Sequence, residues 1–178
     1  MLRNQMGQNL RSGNSGVLPK DSGGRMLKNI LTSCAVMKDF KSAFVDTAVF
    51  IYLLEDHPDF GEKAEFFFQY ASVKKAQLFT TVLSYLEFCI KPYQENRESL
   101  AAIFLDFLHE ANFTTGIIDL SICDEAARLR AQYPALKSVD ALQLASAIKC
   151  ECEVFMTNDR RLRQVNEIEV LLVEDLGK

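Results

Sequence analysis

Four carboxylates, Asp46, Glu87, Asp140 and Asp159, stand where an acid needs explaining. Asp46 interrupts "AFVDTAVFIYLL", an otherwise apolar run, together with the hydroxyl of Thr47. A lone buried carboxylate costs several kcal/mol unless it is paired, protonated or bound to a cation. Taken singly, the other three have ordinary readings. Glu87 closes an S-x-x-E capping box with Ser84, Asp140 complements the dipole in the first turn of an apolar helix, and Asn158 or Asp159 caps a short helix. Taken together they are harder to dismiss, because acids gathered at one edge repel unless protons or a cation neutralise them. Hard oxygen donors with no histidine or thiolate beside them select Mg²⁺ or Mn²⁺. Such an ion lowers the pKa of a water and offsets charge on phosphate oxygens, so phosphodiester hydrolysis is the natural chemistry.

The elements that must position these acids alternate along the chain. Strands are expected at 43–47, 77–81 ("QLFTT"), 113–119 ("FTTGIID"), in "EVFMT" and in "IEVLLV". Between them fall helices at 48–55, 60–74, 84–93, 96–111, 122–132 and 139–150, with a short one in "DRRLRQV". This alternation predicts an α/β fold, a central mostly parallel β-sheet flanked by α-helices in a single domain. In such sheets ligands bind beyond the carboxyl ends of the strands, and all four acids fall there.

Composition narrows the classes. With 178 residues, 48% hydrophobic and 25% charged, the chain suits one soluble domain. No apolar run approaches the roughly 20 residues of a membrane span, and no secretory signal is evident, so a cytoplasmic location is expected. The net charge of −4 argues against a broad basic face for nucleic acid. Five cysteines without a CxxC pair read as reduced core thiols. Residues 1–36, rich in Gly, Ser and Asn, read as a flexible extension, with the natural domain, 37–178, opening at Met37.

In order, "FVDTAVFIYLLE", "TTVLSYLEF", "SVDALQLASAIKC" and "VFMTNDRRL" resemble the PIN-domain ribonucleases, most closely the VapC-like toxins of bacterial toxin–antitoxin pairs. The resemblance spans about residues 42–173. It implies Mg²⁺- or Mn²⁺-dependent cleavage of single-stranded or looped RNA leaving 5′-phosphate and 3′-hydroxyl ends, and a cognate antitoxin; a homodimer is expected as well. It aligns Asp46, Glu87 and Asp140 with the family's first three acids and Asp159 with the fourth, and Thr47, Thr157 and Asn158 with flanking polar positions. In "TND" either Asn158 or Asp159 could face the metal; Asp159 is preferred, with Asn158 left to cap or to meet substrate.

Backbone contacts to RNA must come from local cations, and Lys137, Arg160, Arg161 and Arg163 lie nearest; the alternative is a solvated helix face. In "EFFFQYA", three consecutive phenylalanines cannot all face one side of a helix, so at least one is expected at an interface. Two other classes stay open. A phosphotransfer domain or phosphatase could use the same acidic edge, though Asp46-Thr47-Ala48 offers neither an adjacent acid pair nor D-x-D. A non-catalytic module could keep the fold without the chemistry.

Overall fold

The computed structural model describes residues 39–176, so the extension at 1–36, the start at Met37 and Cys34 lie outside the described residues. Five strands, β1 (Ser42–Val45), β2 (Gln77–Thr81), β3 (Thr114–Gly116), β4 (Val154–Thr157) and β5 (Glu169–Leu172), form one sheet in the order β3-β2-β1-β4-β5. Every pairing is parallel. Six helices connect them: α1 (Thr47–Leu54), α2 (Gly61–Lys74), α3 (Val82–Gln94), α4 (Ser99–Glu110), α5 (Leu120–Gln132) and α6 (Ser138–Lys149).

Strand alternation explains the two cores. Ala43 and Val45 of β1, with Val154 and Met156 of β4, pack against Val49 and Phe50 of α1 and the aromatic faces of α2 and α4. Phe44 and Phe155 point to the opposite face, where their rings stack at 5.2 Å beneath Leu144 and Ala145 of α6 and Leu129 of α5. Strands buried on both faces read as continuous apolar runs, which is why β1 and β4 stood out in the sequence.

The chain winds from β1 outward through β2 to β3, then crosses to the other side of β1 for β4 and β5. The reversal lies between β1 and β4, where parallel sheets open a crevice at their carboxyl ends. Val45 pairs with Met156, and the Asp46 amide donates to the Met156 carbonyl at 3.0 Å. Asp46 and Thr157 are therefore brought side by side at that crevice.

Several expectations are corrected. The third strand stops at Gly116 rather than running to 119, because Asp119 turns out to accept from the Ile122 amide (2.9 Å) and cap α5. "DRRLRQV" contributes a 3₁₀ helix, Arg160–Gln164. Phe67 and Phe68 are buried, and Phe66 packs on the flank of the same cluster with part of its surface still exposed. Neighbouring phenylalanines can share a core where a second helix covers the flank, as α4 does here through Phe104 and Phe107. Among the cysteines, Cys89 and Cys152 are buried, but Cys123 and Cys150 are exposed.

Candidate metal-binding active site

Asp46 occupies the residue between β1 and α1, half-buried. Its Oδ2 accepts a 2.6 Å hydrogen bond from Thr157 Oγ1, a side chain with no exposure at all. Burial pushes the Asp46 carboxyl up to about 6, and the charges of Glu87 and Asp140 push the same way; the Thr157 hydroxyl and the Thr47 amide oppose them. The two neighbouring acids are thus near enough to be felt.

Glu87 does not close a capping box. Helix α3 opens at Val82, one turn earlier than the S-x-x-E reading requires, with Thr81 at its cap. Ser84 is buried and hydrogen-bonded to the Thr80 hydroxyl at 2.8 Å. Glu87 consequently falls in the second turn, where its Oε2 accepts from Thr47 Oγ1 at 2.7 Å and from Gln143 Nε2 at 2.8 Å.

Asp140 sits in the first turn of α6 with no hydrogen-bonded cap at Lys137. Burial raises its pKa, the charge of Asp159 raises it further, and Lys137 and Arg161 counter both. Asp159 follows β4 and is the cap of the 3₁₀ helix, accepting from the Arg161 amide at 2.9 Å. The Arg161 guanidinium grips the same carboxylate, with Nε at 2.9 and 3.0 Å from its two oxygens, and holds its pKa below the usual range. Asn158 is not the cap, a place that Asp159 takes. Its Oδ1 accepts from the Glu174 amide at 3.0 Å and its Nδ2 reaches the Tyr52 hydroxyl at 3.4 Å, tying the end of β4 to the carboxyl-terminal turn.

The remaining cations divide. Arg160 pairs with Glu174 and Arg163 with Asp175, while Lys137 is exposed and makes no ion pair among the described residues. Gln143 and the pairing of Arg161 with Asp159 went unnoticed in the sequence. Gln143 is 2% exposed and reaches two site residues; its only signal was its place three residues after Asp140, on one face of a helix. The Arg161–Asp159 pair had none, because a residue two positions away normally points elsewhere.

Among the described residues no three acidic, histidine or cysteine side chains stand close enough to cage an ion by themselves. The donor set still fits one kind of ion. Mg²⁺ keeps part of its water shell and takes one or two protein carboxylates together with substrate oxygens. Asp46, with the charges of Glu87 and Asp140 acting on it, and Glu87 are held by neutral hydroxyl and amide donors, which leaves negative charge for a cation to satisfy.

Solved structures that share the fold include a toxin–antitoxin complex from Klebsiella pneumoniae (TM-score 0.55, 19% identity, covering 74% of this chain and 97% of that one), and VapBC2 from Rickettsia felis bound to a promoter DNA fragment (TM-score 0.62, 12% identity, covering 74% and 98%). No curated protein sequence matches. The PIN domain family model matches residues 43–168, a span that begins in β1 just before Asp46 and runs past Asp159. With the parallel sheet and the acids at its switch point, this match establishes that the chain belongs to the PIN domain family.

Proposed function

We propose that residues 37–178 form a divalent-metal-dependent endoribonuclease, a VapC-like toxin held in check by a cognate antitoxin and acting on RNA in the cytoplasm. The observation that carries this reading is the placing of Asp46, Glu87 and Asp140 on elements that end or begin at the same sheet edge, near enough that the charges of Glu87 and Asp140 both act on the Asp46 carboxyl. Asp46, Glu87 and Asp140 would hold Mg²⁺ or Mn²⁺, and Asp159, once released by Arg161, would orient the attacking water or a second ion. When bound, the ion supplies Lewis-acid chemistry, easing loss of a water proton and offsetting charge on the phosphodiester. Thr157 and Thr47 keep Asp46 and Glu87 in place through their hydroxyls. The antitoxin follows from the resemblance and from the two toxin–antitoxin structures that share the fold.

Purified protein incubated with single-stranded RNA tests the reading. Cleavage is expected with Mg²⁺ or Mn²⁺ and absent in EDTA; cleavage that persists in EDTA would sink it.

Of the four cations proposed for RNA, Lys137 makes no ion pair among the described residues, the arginines being engaged by acids until substrate competes for them. Lys137→Ala is expected to weaken RNA binding several-fold and lower the slope of log K against log salt by about 0.7, one single-strand phosphate contact. An unchanged slope would remove Lys137 from the interface.

The homodimer finds support on α3. Val82, Leu86, Ile90 and Tyr93 recur at helical spacing and are 42, 59, 51 and 51% exposed. Gly116 pairs with Thr81, which sets Ile117, 73% exposed, beside the start of this stripe. A contiguous apolar face of this kind marks an interaction site on a protein surface. Changing Leu86 and Ile90 together to Glu is expected to shift the protein from dimer to monomer in sedimentation; a dimer that survives both changes places its interface elsewhere.

A further inference from the structure

We infer that Gln143 is a positioning residue of the metal site, setting which oxygen of Glu87 is offered to the cation; this rests on the reading given under Proposed function. A primary amide is costly to bury unless its hydrogen bonds are made, yet Gln143 lies in α6 with 2% exposure, inside the acidic edge rather than the apolar core. Its Nε2 donates to Glu87 Oε2 at 2.8 Å and approaches Thr47 Oγ1 at 3.3 Å. Thr47 Oγ1 donates to the same Oε2 at 2.7 Å. An ionised carboxylate only accepts, so the amide must present its N–H side to it.

Both donors therefore end on one oxygen. Among the described residues Glu87 Oε1 accepts no side-chain hydrogen bond, which leaves it as the oxygen a cation can take. The two donors come from α1 and α6 while Glu87 stands on α3, so Glu87 is fixed by the packing of three helices and not by its own helix alone. Both donors are also neutral. A lysine or arginine at position 143 would hold the carboxylate equally well but cancel the charge that attracts the ion. Asp46 is treated alike, its Oδ2 taken by the neutral hydroxyl of Thr157. Gln143 stands at i+3 from Asp140, so one face of α6 supplies a carboxylate and the support for the carboxylate opposite.

Hydrogen-bond partners of metal ligands typically change metal affinity 10- to 100-fold when removed. The test titrates the full chain with Mn²⁺, reading free ion by electron paramagnetic resonance, and measures RNA cleavage against Mg²⁺ concentration in parallel. For Gln143→Leu, Mn²⁺ affinity is expected to weaken about 10- to 100-fold, with the Mg²⁺ needed for half-maximal cleavage rising by a similar factor. Saturating Mg²⁺ should return most of the rate, which Glu87→Gln should not recover. Gln143→Asn, which keeps the amide but draws it back, should fall between, and serves if the leucine variant does not fold. Unchanged Mn²⁺ affinity in the leucine or asparagine variant overturns the inference alone. A wild-type protein that neither binds Mn²⁺ nor cuts RNA overturns the nuclease reading and this inference with it.

Discussion

RNA cleavage is expected to fall by about a thousandfold or more when Asp46 and Asp140 are both changed to asparagine, a loss of roughly 4 kcal/mol of transition-state stabilisation. The two side chains occupy the end of β1 and the first turn of α6, and neither anchors the core. Asparagine is nearly isosteric and keeps an oxygen that can accept from Thr157, so the hydrogen bond at Asp46 is retained while the charge is removed. Far-ultraviolet circular dichroism should therefore match the wild type. Losses in the two single variants should not add, because residues that serve one ion act as a unit. A double variant that still cuts at more than about a tenth of the wild-type rate would mean the acids are not the chemistry.

Stability should move the other way. The Asp46 carboxyl titrates near 6 in the folded chain against 3.8 in the reference state. Between those values the native state holds a proton the unfolded chain has lost, so stability falls as pH rises from about 4 to about 6 and stays lowered above that. Two pKa units correspond to nearly 3 kcal/mol; because Asp46 is only half-buried, solvent screening reduces this to about 1–2 kcal/mol. Asp140 is raised as well and adds to the same trend. Asp46→Asn removes the penalty, so in EDTA at pH 7 the variant should melt about 3–6 °C above wild type. Mg²⁺ should raise the wild-type Tm and leave the variant nearly unmoved. If the variant melts lower than wild type in EDTA at pH 7, Asp46 is a structural acid after all.

The fold was largely legible because β1 and β4 are buried on both faces and β2 ends in a short polar step before an apolar helix, patterns that a parallel sheet requires. Where the reading slipped, a local signal was overruled by one a few residues away. The box at Ser84 and Glu87 matched a capping signature, but α3 had already begun at Val82, and Ser84 was claimed by Thr80. The strand at β3 was read too long because Ile117 and Ile118 look like strand residues, whereas the Asp119 cap sets where the chain turns. The partners of the acids were less accessible still. Thr47 meets Glu87 and Thr157 meets Asp46 across 40 and 111 residues, and only the sheet order brings such pairs together. Gln143 stands within an apolar helix, where nothing in its neighbours tells an amide that faces a carboxylate from one that faces water.

The most direct test of the metal site is a crystal soaked in Mn²⁺ and measured at a wavelength where manganese scatters anomalously. The expected result is a peak bounded by the carboxylates of Asp46, Glu87 and Asp140, lost in the Asp46→Asn, Asp140→Asn variant. A fully soaked crystal with no anomalous peak at this edge, from protein whose RNA cleavage is untouched by EDTA, would contradict it.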